Sequence, residues 1–192
     1  MKGDDMTQSI RAGGITLAGV AALFLAGAGP VWSQADAAGS GPDSLREGFR
    51  DWSVNCAARP VAADGTGGGR VCEMIQQIDH QDSGQRVLTF SLRLNDAGET
   101  VAVLIAPFGL RLVEGLRLQV GEEILAQMPF ETCLPEGCVV VASMTPAMIN
   151  AMQTGLEGGI IMINRRGEPT GVPISLMGFS AGLERLRALS AP

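Results

Sequence analysis

Four cysteines are the residues whose types and spacing suggest chemistry most directly. They stand at Cys56, Cys72, Cys133 and Cys138 in a chain of 192 residues. In a chain with an export signal, an even number of cysteines is typical of structural disulfides, and four cysteines allow three pairings. The spacing favours Cys56–Cys72, which would join neighbouring strands across a glycine-rich loop, and Cys133–Cys138, which would close a hairpin. The loop-entropy model gives these bonds about 3 and about 2 kcal/mol of stability.

Zinc binding and thiol exchange are the two alternative uses of these cysteines. A zinc site is disfavoured because the sequence has no Cys-x-x-Cys pair and only one histidine, His80. Thiol exchange by Cys133 and Cys138 stays open as an alternative, although their spacing is wider than the two-residue gap of the usual redox pair. We therefore expect structural disulfides and no metal site.

His80, Asp82 and Ser83 are the residue types of a hydrolytic triad, but they lie close together in one turn. Side chains placed in this way cannot generally adopt the geometry that the reaction requires. The acidic residues are dispersed, so no pair of carboxylates suggests an acid and a base. The glycine run Asp64–Gly69 lacks the Gly-Lys-Ser/Thr ending of a phosphate loop and precedes a strand. The sequence predicts no catalytic residue and no cofactor, and His80 is interpreted as a solvated turn residue.

Short alternating segments separated by turn residues predict a mainly β fold. Short strands at a spacing of roughly 8–12 residues, without βαβ alternation, favour an antiparallel β-sandwich. Pro173 is expected at a sheet edge or a strand start, because proline cannot donate to the ladder. The predicted strands are Phe49–Cys56, Val71–Asp79, Arg86–Leu94, Thr100–Ile105, Leu110–Leu112, Leu116–Val120, Glu122–Met128, the two arms of the hairpin over Pro129–Met144, Gly159–Asn164 and Val172–Met177.

Two short helices are predicted towards the C-terminus. Thr145–Pro146 suits the N-cap and first helical position, Ala147–Thr154 continues the helix, and Gly155 is expected to end it in the C′ position. Ser180 is suited to cap a second helix over Ala181–Leu189. Four methionines either pack in the core, which helical spacing favours, or form an adaptable contact surface: Met144, Met148, Met152 and Met162.

Residues 1–35 have the features of a secretory signal peptide. A short basic segment ends at Arg11, an apolar run covers residues 15–29, and small residues suited to cleavage lie around Ala35. The alternative is a retained membrane anchor, but the apolar run is shorter than the roughly 20 residues that a spanning helix needs. We expect the signal to be removed. A flexible lead-in over residues 36–47 and a single β-sandwich domain over residues 48–192 would follow, with no integral membrane span.

The charge balance is acidic, with a formal net charge of −6 and a pI of about 4.8. This balance argues against nucleic acid or an anionic membrane surface as the partner, because both need a basic patch. Leu110–Leu112 and Leu116–Val120 each alternate apolar and polar residues, so Arg111 and Arg117 are expected on a solvent-exposed face. Together with Arg165 and Arg166 in a later turn, they form a candidate surface for a partner.

The order of several short motifs resembles the invasion-associated locus B (IalB) family of exported α-proteobacterial proteins. These motifs are Trp52–Cys56, Cys72 with Gln76 and Gln77, Ala106–Gly109 with Leu116, Cys133–Cys138 and Pro173–Ser180. The resemblance implies an immunoglobulin-like antiparallel β-sandwich in the periplasm or the outer envelope. In pathogenic members the family is linked to invasion of host red cells. It brings no established catalytic residues, so none is carried over to this chain.

A non-catalytic exported module that binds an envelope or host protein is the function these observations favour. It fits a chain that is expected to fold well and that shows no assembled set of catalytic residues. The alternative is a periplasmic enzyme, or a thiol-exchange factor that uses Cys133 and Cys138. Resistance of the disulfides to mild reductant would discriminate against thiol exchange.

Overall fold

Most of this molecule is β-structure, as the alternation of apolar and polar residues along the chain predicts. The structure is a computed structural model, and it describes residues 44–62, 65 and 67–190. These residues form eleven strands, named β1 to β11 in chain order: Ser44–Phe49, Trp52–Ala58, Arg70–Asp79, Arg86–Leu94, Thr100–Ala106, Leu116–Val120, Glu123–Met128, Thr132–Leu134, Gly137–Ser143, Glu157–Ile163 and Pro169–Ser175. They also form two α-helices, α1 over Pro146–Thr154 and α2 over Phe179–Ser190.

The strands make two antiparallel sheets. The larger sheet has seven strands in the order β1-β2-β3-β4-β5-β9-β8, and the smaller has four in the order β11-β10-β6-β7. Strands β1 to β5 are therefore consecutive neighbours, after which the chain crosses to the smaller sheet and returns for β8 and β9. The predicted mainly β, antiparallel sandwich with two short helices is confirmed. β11 is an edge strand, which agrees with the position expected for Pro173.

The core lies between the inner faces of the sheets and α2. Trp52 of β2 is 1% exposed, and its ring centroid lies 5.6 Å from Phe90 and 5.4 Å from Phe179. Both contacts are edge-to-face, the arrangement that aromatic quadrupoles prefer. Gly182 allows α2 to approach β3 closely, because a Cβ atom there would lie 3.0 Å from the Met74 Cε atom. The aromatic rings and this close contact together hold α2 on the larger sheet.

The N-terminal boundary of the domain differs from the prediction. The sequence predicted one strand over Phe49–Cys56 and a flexible lead-in over residues 36–47. Both boundaries are corrected, because Ser44–Phe49 forms β1 and pairs along its whole length with β2. The chain reverses at Arg50, whose φ of 57° completes a tight turn. The remainder of the lead-in and the predicted signal over residues 1–35 lie outside the described residues.

The segment between β5 and β6 is not the strand predicted over Leu110–Leu112. Leu110 makes only an isolated bridge to Asn164, and Leu112–Glu114 forms a 3-10 helical turn. Gly115 then turns the chain into β6 with a φ of 66°. A Cβ atom at this glycine would lie 2.5 Å from the Met128 carbonyl oxygen, so the close approach of β7 also requires glycine.

The caps of the two helices follow the prediction only in part. Thr145 caps α1 as predicted, since its Oγ1 accepts a hydrogen bond of 3.2 Å from the Met148 amide. Gly155 does not take the expected left-handed C′ conformation, because its φ is −71° and its ψ is 157°. The small size of Gly155 is needed instead, since a Cβ atom would collide with the Val120 side chain. Ser180 is not the cap of α2, which begins one residue earlier.

The four methionines near α1 and β10 lie in the core rather than on a contact surface. Their exposed fractions are at most 7%, and all four belong to one buried cluster: Met144, Met148, Met152 and Met162. The flexible thioether side chain suits the irregular space between a helix and two sheets. The core interpretation of their helical spacing is confirmed.

Candidate functional site

The disulfides join the residues that the spacing favoured. Cys56 is bonded to Cys72 across the β2–β3 pair, and Cys133 is bonded to Cys138 across the β8–β9 hairpin. The first bond is buried, with 3% and 5% of its two residues exposed. In the second, Cys138 is buried whereas Cys133 is exposed, because β8 is the edge strand of the larger sheet. Each bond fixes the register of an antiparallel pair.

Three of the four predicted partner-surface arginines lie around one turn. The Arg111 amide donates a hydrogen bond of 2.8 Å to the Ile163 carbonyl oxygen, and the Arg165 amide donates one of 3.0 Å to the Gly109 carbonyl oxygen. The segment after β5 therefore lies against the turn between β10 and β11. Arg166 follows in the same turn, where its Nε atom lies 3.1 Å from a Glu168 carboxylate oxygen. This ion pair is solvent-exposed and contributes little stability.

Arg117 lies apart from these three, on the outer face of the smaller sheet. It is opposite Ile161 of β10 and Gln127 of β7, and it is half-buried between its neighbours. The structure thus brings Arg111, Arg165 and Arg166 together and leaves Arg117 on the adjoining strand face.

His80, Asp82 and Ser83 lie in the turn between β3 and β4. The His80 amide donates to the Gln85 carbonyl oxygen at 2.8 Å, and the Ser83 hydroxyl oxygen accepts from the Gln85 amide at 3.3 Å. His80 itself is exposed. Over the described part of the chain, no three His, Cys, Asp or Glu side chains are grouped as metal ligands.

A polar joint between the two sheets was missed by the sequence interpretation. Gln76 is only 5% exposed on the inner face of β3, and both ends of its amide are bonded to β11. Its Nε2 atom donates to the Ser175 carbonyl oxygen at 3.1 Å, and its Oε1 atom accepts from the Ser175 amide at 3.0 Å. The available signal was the position of Gln76, which continues the buried alternation of Cys72 and Met74.

Two more residues complete this joint. The Trp52 Nε1 atom donates to the Ser175 carbonyl oxygen at 2.8 Å, and the Ser175 hydroxyl donates to an Asp51 carboxylate oxygen at 2.5 Å. Gly178 lies beside them with a φ of 88°, directly against the Phe49 carbonyl oxygen of β1. Residues from three of the quoted sequence motifs therefore meet in one scaffold contact that links β2, β3 and β11.

The outer face of the larger sheet carries a band of aliphatic side chains, which we call the aliphatic band. The strand register places Ile75, Val103 and Val141 in one row across β3, β5 and β9, with Ser91 of β4 between them. The next row continues the band with Ile105 and Val139. Val141 is 44% exposed, so the band is open to solvent. An antiparallel sheet that packs one face on the core usually carries polar side chains on its solvent-exposed face. The aliphatic side chains on this exposed face therefore make the band a candidate contact surface.

Two antiparallel sheets, a helix packed on the larger one and two disulfides define a disulfide-stabilised β-sandwich protein. Disulfides of this kind are typical of extracellular and periplasmic proteins. Across the described residues, neither helix is both long and apolar enough to cross a membrane.

The comparisons with known proteins agree with this class. The sequence model of the Invasion associated locus B (IalB) protein family matches residues 52–187. An invasion protein B homologue of Brucella abortus strain 2308 is 34% identical over 151 residues, covering 78% of this chain and 83% of the homologue. Invasion protein B of Bartonella bacilliformis is 30% identical over 155 residues, with 78% of each chain covered.

A solved structure supports the same assignment. The crystal structure of invasion associated protein B from Bartonella henselae superposes with a TM-score of 0.65 at 30% sequence identity. The match covers 76% of this chain and 96% of the Bartonella henselae chain. The chain therefore belongs to the Invasion associated locus B (IalB) family.

Proposed function

We propose that this protein is a non-catalytic module of the bacterial envelope that works by binding another envelope protein. The polar joint is the main observation that supports this proposal. Gln76, Ser175 and Trp52, which belong to the quoted motifs, use their polar groups to connect the two sheets by hydrogen bonds. Groups that are bonded within the scaffold in this way are not available to act on a substrate.

The proposed location is the periplasm or the outer envelope, after removal of the signal over residues 1–35. Two disulfides support this location, because reducing compartments keep cysteines as thiols. The names of the Brucella and Bartonella relatives associate those proteins with invasion. For this chain, we propose the more general role of a binding module in its own envelope.

The aliphatic band is the proposed partner surface. Its β-branched side chains are held by a regular seven-stranded sheet, so they lose little conformational entropy when a partner covers them. A protein with an exposed apolar patch is the partner that such a face fits, because contact removes apolar area from water on both sides. The predicted arginines around the β10–β11 turn belong to the smaller sheet and would act as a separate polar contact.

The test is crosslinking of the protein in its own envelope extract, read by mass spectrometry and repeated with two matched variants. Lys2 is the only lysine in the sequence, so a photoreactive or carboxylate-directed reagent is needed instead of an amine reagent. We expect Val141→Arg to lose the crosslinked partner. Val113→Arg should retain it, since Val113 is 91% exposed in the 3-10 turn before β6 and is not part of the aliphatic band. Equal recovery of the partner with both variants would contradict the band as the contact surface.

Thiol exchange by Cys133 and Cys138 is the second candidate function. It is favoured by one observation, the exposure of Cys133 at the edge of the larger sheet. An exchanging pair would equilibrate rapidly with glutathione, whereas a structural bond would resist mild reductant. Trapping of free thiols after brief exposure to a glutathione buffer, compared with the buried Cys56–Cys72 bond in the same molecule, would decide between these roles.

A further inference from the structure

Three arginines line one cavity at the end of the larger sheet. The cavity has a volume of about 510 Å³, and Arg59, Arg70 and Arg93 contribute to its wall. Asp96 is the single carboxylate among its described lining residues. The sequence interpretation missed this group because the arginines lie far apart in the chain and belong to no motif.

The strand register brings Arg59 and Arg70 together. Arg70 begins β3 opposite Ala58, and the Arg59 amide donates a hydrogen bond of 2.9 Å to the Gly69 carbonyl oxygen. Cys72 also lines the cavity, and its bond to Cys56 ties the two segments together just inside this point. The backbone that carries two of the three arginines is therefore covalently fixed.

Arg93 reaches the same cavity from β4, just before the turn into β5. That turn is well ordered, because the Asn95 Oδ1 atom accepts hydrogen bonds from the Ala97 amide at 3.1 Å and from the Glu99 amide at 2.8 Å. Arg59, Arg70 and Arg93 are all exposed. Solvent and ligands consequently have access to all three guanidinium groups.

The charge in this cavity is not balanced by the described residues around it. Ion pairs within 4.0 Å over the described part of the chain are Arg166–Glu168 and Arg185–Glu47, so none involves the three cavity arginines. Three arginines and one carboxylate among the lining residues leave an excess of positive charge there, in a protein whose net charge is −6. An anion would relieve the repulsion between the guanidinium groups.

We propose that this cavity binds the phosphate group of a phosphorylated compound. The planar fork of arginine donates two parallel hydrogen bonds to phosphate oxygens, and several arginines lining one cavity suit a tetrahedral anion. A phosphate is only a few times larger than a water molecule, which occupies about 30 Å³ in the liquid. The cavity of about 510 Å³ therefore has room for the organic part of the ligand as well. The lining of this cavity shares no residue with the aliphatic band, so the site extends the proposed function.

Calorimetric titration of the purified protein with pyrophosphate at low ionic strength tests the proposal. We expect Arg59→Gln and Arg93→Gln each to weaken binding about tenfold or more, the loss typical of one charge-assisted contact. Arg86→Gln is the matched control, because it removes the same charge from an exposed position at the other end of β4. The control should bind pyrophosphate as the wild type does, and all variants should keep the wild-type melting temperature.

A second experiment distinguishes the two possible sources of the phosphate group. Co-sedimentation with phosphatidylglycerol vesicles that is lost in Arg59→Gln would assign a lipid headgroup, whereas pyrophosphate binding without vesicle binding would assign a soluble phosphate ester. Absence of pyrophosphate binding by the wild type would overturn the proposal. An equal loss in Arg86→Gln would overturn it too, because the effect would then come from overall charge.

Discussion

Gly178 illustrates how a single residue without a side chain sets the packing between distant parts of the domain. It lies immediately before α2, has a φ of 88°, and touches the carbonyl oxygen of Phe49 at the end of β1. Two separate requirements therefore exclude a side chain here: the left-handed backbone conformation and the contact with β1. The buried Phe179 that follows depends on this position to reach Trp52.

We expect Gly178→Ala to lower the free energy of unfolding by about 3 kcal/mol or more, since the new methyl group combines backbone strain with a collision. The matched control is Gly84→Ala. Gly84 also has a positive φ, of 63°, but nothing lies within 4 Å of its Cβ position, so the cost should be roughly 1 kcal/mol. Urea denaturation followed by the fluorescence of buried Trp52 measures both values. Equal costs at the two positions would show that the contact with Phe49 is unimportant.

At the scale of elements, the edge strand β1 is held to α2 by a bidentate ion pair. The Arg185 Nε and Nη2 atoms donate to the two Glu47 carboxylate oxygens at 2.7 Å and 2.8 Å. The hydrogen bond from Arg185 lowers the pKa of Glu47 below its ordinary value, although partial desolvation opposes this shift. The ion pair therefore anchors β1, an edge strand with few apolar residues, to α2 on the same sheet.

The ion pair predicts a pH-dependent difference between the wild type and Glu47→Gln. Because the folded-state pKa of Glu47 is lowered, the stability that the ion pair contributes is complete above the pKa of the unfolded glutamate and is lost as the pH falls through the folded-state pKa. We expect the wild type to melt at a higher temperature near neutral pH and the difference to disappear in more acidic buffer. Melting curves of both proteins across this range provide the measurement. A difference that stays constant with pH would contradict the assignment.

At the scale of the whole molecule, the two disulfides add to a core that is already extensive. The core cluster draws on both sheets and on both helices, with Trp52, Phe90 and Phe179 at its centre. Cys56–Cys72 closes one end of the β2–β3 pair, and Cys133–Cys138 closes a hairpin at a sheet edge. A domain of this size can bury enough apolar surface to fold without covalent help.

We therefore expect the fully reduced protein to remain folded but to unfold at a lower urea concentration. The loop-entropy model predicts a larger loss for Cys56→Ser with Cys72→Ser, whose bond spans 16 residues, than for Cys133→Ser with Cys138→Ser, whose bond spans 5 residues. The respective losses should be about 3 and about 2 kcal/mol. Near-ultraviolet circular dichroism and urea denaturation of each double variant test this. A reduced protein without fixed tertiary structure would show that the core alone is insufficient.

Local sequence rules predicted the features that depend on neighbouring residues. Alternation located most strands, Thr145 marked the start of α1, and the spacing of the cysteines favoured the pairs that are bonded. β1 was missed because an edge strand buries little and its sequence is correspondingly polar. The conformation of Gly155 was misjudged because contact with Val120, rather than the helix end, requires glycine there.

Local sequence rules could not predict the features that depend on how the strands pair in the sheets. Gln76 and Ser175 are separated by 99 positions, and their contact exists only because β11 crosses the inner face of β3. The convergence of Arg59 and Arg93 likewise depends on the β2-β3-β4 order of the larger sheet. Side-chain types alone carry no information about such distances, so the joint and the arginine cavity required the three-dimensional structure.

The Cys56–Cys72 disulfide joins β2 to β3 on either side of the loop that connects them. This loop is therefore a practical site for inserting a peptide. Its two ends are held by the bond and by the Val61–Gly67 bridge, so an inserted peptide would mainly add chain entropy. Doubling the length of a flexible loop costs only about 0.6 kcal/mol. An epitope tag or a protease-cleavage sequence placed between these ends would report the compartment and the exposure of the protein in living cells.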